Sequence, residues 1–319
     1  MAVSGKPIST FLLAVTSILE INAVTKRYGS KLAVNAVSLS IPKGSIFGLL
    51  GPNGAGKTSL IRMITTITRP DEGHIMLDGE ALRADHPRRI GYLPEERGLY
   101  KKMKVGEHLV YLGQLKGLAK KEAHAAARHW LEKLELSDRW GQPVETLSKG
   151  LQQQVQFIAT VIHQPSLLIL DEPFSGLDPV NTNRLKAEIR QLHQSGTSII
   201  FSTHRMEQVE EVCEYIALIN AGQNVLEGRV EDIRSRYKQN HFDIQYDGTL
   251  PDDLAARFSV VEQQSHRVVI ALPPETPGNE LLRSLLNQGV QIKAFNEVLP
   301  SLNEIFIRIV GRPVKPEMA

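Results

Sequence analysis

The stretch that decides the fold reads Ile46-Phe47-Gly48-Leu49-Leu50-Gly51-Pro52-Asn53-Gly54-Ala55-Gly56-Lys57-Thr58-Ser59. A short apolar run leads into a glycine-rich loop, and a helical pattern begins near Lys57. Glycines let a backbone fold so that several N–H groups point at one anion, and the helix behind them adds the positive end of its dipole. Lys57 can reach terminal phosphates, and the Thr58 hydroxyl can bind Mg²⁺. We therefore interpret residues 51–59 as a phosphate-binding loop and helix start rather than a chance glycine-rich turn.

The composition is that of an ordinary globular protein. A length of 319 residues suggests about two domains, and 42% hydrophobic with 23% charged residues is typical of soluble proteins. A net charge of +2 argues neither for nor against a nucleic-acid partner. Cys213 is the single cysteine, which excludes an internal disulfide and fits a reducing compartment. No run reaches the ~18 apolar residues that span a bilayer, so a transport function would need a membrane path on another chain.

The opening residues carry an ambiguous pattern. Lys6 precedes the apolar run Phe11-Leu12-Leu13-Ala14-Val15, as in a secretory signal, but the run is short and Pro7 dilutes it. We predict that residues 1–17 are a disordered extension or reflect an upstream start.

Residues 18–238 are predicted to form one α/β domain. Strand patterns include residues 17–28, 37–41, 46–50, 89–95, 167–170 and 198–202. Between about residue 96 and residue 165 the apolar period becomes helical, and one helix is expected over residues 122–134. The domain is therefore predicted to combine an α/β core with a helical insertion.

A second, smaller domain is predicted over residues 239–319. The polar stretch of residues 234–240 is interpreted as the boundary, and about three strands and two helices follow it. Ser301-Leu302-Asn303-Glu304 has the pattern of a capping box before the last helix. This small α+β domain carries no chemical motif, so we expect it to serve docking, dimerisation or regulation.

Polar residues stand at the ends of two buried strands. Asp171 and Glu172 follow the apolar run of residues 167–170, and His204 follows another such run, which is where ligand sites occur in parallel sheets. Asp171 can hold Mg²⁺, directly or through water. Glu172 is placed to activate a water that attacks a phosphate, and His204 can hydrogen-bond that water or phosphate. Asp178 most simply shapes a loop or caps the helix after it.

Together these motifs resemble the nucleotide-binding subunits of ABC transporters, over roughly residues 18–238. Residues 51–58 match the Walker A motif of that family, and residues 167–172 match its Walker B motif. Ser175-Gly176-Leu177-Asp178 matches the D-loop, His204 the switch histidine and Tyr28 the aromatic residue that stacks on adenine. The resemblance implies a P-loop NTPase core of the ABC type that binds ATP and Mg²⁺.

Two positions depart from the family pattern. The usual signature Leu-Ser-Gly-Gly-Gln, which binds the γ-phosphate held by the opposite subunit, is here Leu147-Ser148-Lys149-Gly150-Leu151. Ser148, Gly150 and the helix start retain the means to bind an anion, whereas Lys149 adds a side chain and a charge. The Q-loop glutamine of the family is Glu95, which can bind Mg²⁺ but adds negative charge beside ATP. Both departures bear on the hydrolysis rate rather than on the fold.

The resemblance also implies partners. ATP would be held between the P-loop of one subunit and the Ser148 segment of a second copy, and Lys57, Glu172 and His204 would catalyse its hydrolysis. A membrane-spanning permease on a separate chain would use the closing and reopening of this dimer. Such a partner places the protein in the cytoplasm, on the inner face of the cell membrane. No nucleic-acid partner is expected. The tail Leu302-Asn303-Glu304-Ile305-Phe306 is similar to a C-terminal domain of bacterial ABC ATPases of the sodium- and drug-export type, which indicates an exporter.

Two alternatives remain open from the sequence. One is a soluble relative of these ATPases that acts on DNA or ribosomes, although the long coiled-coil insertions, zinc sites or paired nucleotide domains of such relatives are not seen in the sequence. The other is a slow nucleotide switch, in which binding gates a partner and turnover is incidental. Glu95 and Lys149 support the switch.

Overall fold

The computed structural model of the protein describes residues 16–96, 98–250 and 254–311. The extension predicted over residues 1–17 therefore lies outside the described residues except at its end, where Ser17 begins a strand. The chain divides after Gly228 into two compact units. Within the described ranges, no helix is both long and apolar enough to cross a membrane.

The first unit alternates strands and helices. Their order is β1 (Ser17–Tyr28), β2 (Lys31–Pro42), β3 (Ile46–Leu50), α1 (Lys57–Ile64), β4 (Glu72–Leu77), β5 (Glu80–Ala81), β6 (Ile90–Leu93), α2 (Val105–Leu115), α3 (Lys120–Lys133), α4 (Lys149–Val161), β7 (Leu167–Asp171), α5 (Pro179–Gln194), β8 (Ser198–Ser202), α6 (Met206–Val212), β9 (Tyr215–Asn220) and β10 (Gln223–Arg229). The bounds of β1, β3 and β8 are those predicted from the sequence, and β6 ends before the polar residues that the prediction included.

The central sheet places the phosphate-binding loop among parallel strands. Its strand order is β10-β9-β3-β8-β7-β6, and β3 runs parallel to β8 and β9, as β7 does to β6 and β8. Every residue of β3, β7 and β8 is buried, as central parallel strands require. Because the carboxyl ends of parallel strands meet at one edge, Gly51, Glu172 and Thr203 follow their strands at the same edge of the sheet.

A second sheet, of order β2-β1-β4-β5, shares one apolar core with the central sheet. Ile21 on β1, Phe47 on β3 and Ile169 on β7 belong to this core, and so do Leu60 and Ile61 on α1. The helix behind the phosphate-binding loop is therefore anchored by burial of its apolar face, a few kcal/mol for two such side chains.

The helical insertion consists of α2, α3 and α4. Trp130 on α3 packs edge-to-face on Phe157 of α4, with ring centroids 5.9 Å apart. Glycine is needed at Gly106 of α2, because a Cβ there would lie 2.2 Å from the Trp140 ring. The insertion is thus a packed layer of helices, in which α3 contacts α4 and α2 contacts the segment before α4.

The second unit is a four-stranded antiparallel sheet with helices. Its elements are α7 (Val230–Arg236), β11 (His241–Asp247), α8 (Leu254–Arg257), β12 (Ser259–Gln264), β13 (Arg267–Ala271), α9 (Gly278–Asn287), β14 (Gln291–Val298) and α10 (Leu302–Val310). The strand order is β12-β13-β11-β14, and Ile244, Leu281 and Leu285 lie in its own apolar core. The predicted capping box is present, since Ser301 Oγ accepts from the Glu304 N–H at 3.2 Å and Glu304 Oε2 accepts from the Ser301 N–H at 2.7 Å.

The second unit differs from the sequence prediction in two respects. The division of the chain lies after Gly228 rather than after residue 238, because residues 234–236 of the polar stretch form the last turn of α7, a helix of the second unit whose Val230 and Ile233 are buried. The predicted count of about three strands and two helices omits α7, α8 and β12. The edge strand β12 reads Ser-Val-Val-Glu-Gln-Gln and is mostly exposed, so it lacks the apolar alternation by which strands are recognised.

Candidate active site

The phosphate-binding loop needs glycine at two positions for steric reasons. Gly51 has φ 148° and Gly56 has φ 110°, both in the region that favours glycine. A Cβ on Gly51 would lie 2.1 Å from the Ile219 carbonyl oxygen, and one on Gly56 would lie 2.4 Å from the Ala33 carbonyl oxygen. The loop can therefore keep its path between β9 and β2 with glycine and with no other residue.

A contact that the sequence did not predict supports the loop from the β9–β10 turn. The Gly222 N–H donates to the Ala55 carbonyl at 2.9 Å, and the Gly222 carbonyl accepts from the Asn35 N–H at 2.8 Å. An Ala-Gly turn between two strands is visible in the sequence, but nothing in it indicates which loop the turn contacts.

Lys57 brings a cation to the loop. Its Nζ donates to the Gly51 carbonyl at 2.7 Å and to the Pro52 carbonyl at 3.1 Å. Burial lowers the pKa of Lys57, and the carboxylates of Asp171, Glu172 and Glu95 oppose that shift. Carboxylates predicted from two separate parts of the sequence, Glu95 in one and Asp171 with Glu172 in the other, therefore act on the same lysine.

Two oxygen donors suit a hard divalent cation. Asp171, at the end of β7, is 6% exposed, and burial raises the pKa of its carboxyl while the Lys57 charge opposes the rise. Thr58 is exposed on the first turn of α1. Mg²⁺ prefers carboxylate and hydroxyl oxygens together with substrate phosphates, so these donors fit the ion. Glu95 is exposed and close enough to influence the pKa of Asp171.

Glu172 follows β7 in a left-handed conformation with φ 50°, which is uncommon for a residue other than glycine. Its N–H donates to the Ser202 carbonyl at 2.9 Å, which extends the pairing of β7 with β8. Its Oε1 accepts from the His204 N–H at 2.9 Å and lies 2.6 Å from His204 Nδ1. Its Oε2 accepts from the Thr203 hydroxyl at 3.1 Å. The structure thus joins two predicted residues, Glu172 and His204, and adds Thr203.

The signature segment and the D-loop lie at the starts of two helices. Ser148 caps α4, since its Oγ accepts from the Leu151 N–H at 3.3 Å, and both Ser148 and Lys149 are exposed. Asp178 caps α5, accepting from the Val180 and Asn181 N–H groups at 2.9 and 3.0 Å. A Cβ on Gly150 would meet the Gly176 carbonyl at 3.5 Å, an ordinary contact distance, so the two segments are neighbours.

Tyr28 stands at the end of β1 with 43% of its surface exposed. The Lys26 ammonium lies 5.7 Å from the centre of its ring. Tyr28 pairs with Lys31 in a hairpin whose second strand also carries Ala33, the neighbour of Gly56. The Tyr28 ring is thus exposed on the hairpin that borders the phosphate-binding loop, where it is available for stacking. Its contact with adenine stays a prediction.

The loop that carries Glu95 is attached to the signature helix. Gln156 of α4 donates through Nε2 to the Pro94 and Glu96 carbonyls, both at 3.3 Å. Beside this contact lies a groove of about 400 Å³. It is lined in part by Tyr92, Leu99, Leu112, Leu115, Lys116 and Gln156. A molecule bound in this groove would touch both the Glu95 loop and α4.

Comparison with known proteins agrees with this geometry. Residues 34–175 match the family described as ABC transporter, and residues 228–310 match the family described as ATP-binding protein DrrA1-3-like, C-terminal domain. The uncharacterized ABC transporter ATP-binding protein YhaQ of Bacillus subtilis is 43% identical over 92% of this chain and 99% of its own length. The Nod factor export ATP-binding protein I of Burkholderia lata is 31% identical over 93% of this chain and 98% of its own.

A solved structure described as the ATP binding subunit of an ABC transporter shares the fold. It is 28% identical, covers 69% of this chain and 93% of its own, and superposes with a TM-score of 0.65. The likeness therefore extends from the sequence motifs to the arrangement of the strands and helices around them.

Proposed function

The chain belongs to the ATP-binding subunits of ABC transporters, and from this membership we propose how its residues hydrolyse ATP and use the energy. The observation that carries the proposal is the contact between Glu172 Oε1 and His204 Nδ1, which lie 2.6 Å apart. The two residues lie at the edge of the sheet where the phosphate-binding loop also begins. Hydrolysis of ATP to ADP and phosphate powers a membrane exporter. The match of the second unit to a DrrA-like domain and the export function in the name of the Burkholderia relative support that direction.

In the proposed reaction the loop binds the phosphates and Glu172 accepts a proton. Backbone N–H groups of residues 51–58 and the Lys57 ammonium hold the β- and γ-phosphates. Glu172 takes the proton of the attacking water as general base, and His204 holds the carboxylate that does so. Thr58 and Asp171, with Glu95 beside them, would hold Mg²⁺, which neutralises phosphate charge when bound.

We infer that a second copy of the chain completes the ATP site. Ser148 and Lys149 are exposed at the start of α4, where backbone N–H groups and a lysine favour an anion. Tyr28 would stack on the adenine of the bound nucleotide. ATP would drive association because the closed dimer binds it more tightly than the separate subunits do.

We also infer that a membrane-spanning permease on another chain docks at the groove beside Glu95. Its lining is mostly apolar, and α2 next to it exposes Tyr111 and Leu115 by 41% and 57%. Because Gln156 joins the Glu95 loop to α4, a permease segment there could sense the ATP site. This partner would place the protein on the inner face of the cell membrane.

Glu172→Gln tests the enzymatic proposal. Loss of a general base costs about 10²–10⁴-fold in rate, so we expect kcat for ATP to fall within that range. Binding of a fluorescent ATP analogue should persist, because glutamine keeps the size of the side chain. Steady-state phosphate release measures the first quantity and fluorescence titration the second.

The matched control is Glu275→Gln, which makes the same chemical change at an exposed position of the second unit. We expect it to keep the wild-type rate. Hydrolysis by Glu172→Gln at the wild-type rate would contradict the proposal and favour a nucleotide switch whose turnover is incidental.

A further inference from the structure

We propose that Thr203 is a positioning residue for hydrolysis, whose hydroxyl holds one oxygen of Glu172 while His204 holds the other. The inference rests on the role proposed for Glu172. Thr203 Oγ1 lies 3.1 Å from Glu172 Oε2, and both hydrogen-bond contacts of His204 are to Oε1. The two residues therefore fix the carboxylate at both of its oxygens.

The direction of the hydrogen bonds at Thr203 follows from its partners. An ionised carboxylate accepts hydrogen bonds and donates none, so the hydroxyl proton of Thr203 must point at Glu172. The same oxygen accepts a hydrogen bond from the Arg205 N–H at 3.1 Å. This second bond also restrains the orientation of the hydroxyl. Thr203 is thus a fixed donor that cannot rotate away without losing two bonds.

Burial distinguishes Thr203 from His204. Thr203 is 0% exposed, whereas the side chain of His204 is 58% exposed. An exposed ring can change rotamer when ligand binds, but a buried side chain at the end of β8 has no room to do so. Glu172 also departs from its strand at φ 50°, so its side chain depends on such contacts for its direction. Thr203 therefore keeps the carboxylate aimed while His204 exchanges partners.

Replacing the hydroxyl while keeping the shape tests this inference. Thr203→Val removes the donor and keeps the side-chain volume, so we expect kcat to fall about tenfold, which equals ~1.4 kcal/mol, with KM for ATP changed less than about twofold. Thr203→Ser restores the hydroxyl, and its kcat should stay within about twofold of the wild type. Phosphate release by the full-length chain gives both constants.

A matched control separates positioning from general damage. Thr25 is also buried, 3% exposed, and its hydroxyl accepts from the Ala36 N–H at 3.1 Å on the β1–β2 hairpin. Thr25→Val likewise leaves a backbone N–H without its acceptor, so it should lower the thermal midpoint as Thr203→Val does and leave kcat unchanged. If Thr203→Val does not fold, the pair Thr203→Ala and Thr203→Ser makes the same comparison.

A kcat for Thr203→Val equal to that of Thr25→Val, or failure of Thr203→Ser to restore the rate, would overturn the inference. Glu172→Gln is measured alongside: if it hydrolyses ATP normally, the role proposed for Glu172 is wrong. If Glu172→Gln is inactive and Thr203→Val is fully active, only the inference about Thr203 fails.

Discussion

His108 lies inside the helical insertion with 0% of its surface exposed, and neither ring nitrogen has a hydrogen-bond partner among the described residues. The Tyr100 ring packs on it edge-to-face at 5.8 Å. Burial lowers the pKa of His108 to about 4. Burial also lowers the pKa of His163 to about 4, with the Lys116 charge acting in the same direction. Both histidines are therefore neutral in the folded protein at physiological pH.

These two histidines predict a loss of stability in mild acid. Each histidine binds a proton near pH 6.5 in the unfolded chain but only near pH 4 in the folded chain. Protonation therefore favours the unfolded chain, so the free energy of unfolding is highest above pH 6.5 and decreases as the pH falls toward 4. Each histidine should lower the free energy of unfolding by about 2 kcal/mol between pH 7 and pH 5. Urea unfolding at the two pH values measures the difference.

The variant His108→Leu isolates one of the two contributions. It should reduce the loss between pH 7 and pH 5 by about 2 kcal/mol, whatever it does to stability at pH 7. His129→Leu, at an exposed position of α3, should leave the pH difference as in the wild type. An unchanged pH difference in His108→Leu would show that the ring is solvated in the folded protein.

At the scale of single residues, the sequence predicted site residues that belong to a motif. It did not predict contacts that depend on how distant segments pack in the fold. Glu172 and His204 were predicted because each ends an apolar strand beside a phosphate-binding loop. The contact of Thr203 with Glu172 was not predicted, because a threonine after a strand is too common to carry a signal. Gly222 was missed for a related reason: its contact with Ala55 depends on the loop geometry of two distant segments.

Among the elements, α2 has the clearest functional consequence. One of its faces packs inward through Val105 and Leu109, and another presents Tyr111 and Leu115 beside the groove next to Glu95. Exposed apolar side chains beside a groove are typical of a partner-binding surface. The sequence predicted a helical insertion here from its period, but a period alone does not show which outward residues border a groove.

Leu115→Asp should therefore separate partner binding from nucleotide binding. A charge in an apolar interface is costly, so we expect the variant to lose a polytopic membrane chain that co-purifies with the wild type from detergent-solubilised membranes. Its affinity for an ATP analogue should not change. Mass spectrometry of the purified material identifies and quantifies the co-purifying chain.

Ile67→Asp is the matched control, because Ile67 is equally apolar and 60% exposed but does not line the groove. It should retain the membrane chain at the wild-type ratio. Recovery of the same chain with Leu115→Asp would contradict docking at this groove, and ribosomal proteins or DNA-bound factors in place of a membrane chain would contradict a permease partner altogether.

On the scale of the whole molecule, each unit has an apolar core of its own. The first core includes Phe47 and Leu60 around the phosphate-binding loop, and the second includes Ile244 and Leu281. The sequence predicted two domains because the apolar pattern restarts after a polar stretch. It placed the division too late, since the surface of α7 resembles a linker in composition and only burial of Val230 and Ile233 distinguishes the two.

Two cores predict two unfolding transitions, of which ATP moves one. In Glu172→Gln with Mg²⁺ present, ATP at 100 times its dissociation constant should stabilise the first unit by about 2.7 kcal/mol. For a unit of this size the midpoint should rise about 5–10 °C. The transition of the second unit should stay in place. Differential scanning calorimetry resolves the two.

The added substitution Lys57→Ala should abolish the ATP-induced rise without merging the transitions, because it removes the phosphate-binding cation. An equal rise in both transitions would show that the two units unfold together. A single transition in every sample would lead to the same conclusion.

The single cysteine of the chain gives the protein a built-in kinetic probe. Cys213 lies just after α6 and is 7% exposed, with its Sγ 3.3 Å from where a Cβ on Gly48 would stand. Burial raises the pKa of its thiol, so a thiol reagent can modify it only while the segment around α6 is open. Because the sequence has one thiol, the rate at which a chromogenic reagent reacts with the protein reports the rate of that opening. A slower reaction of Cys213 in the presence of nucleotide would show that nucleotide restrains the loop that carries His204, and the measurement needs no added label.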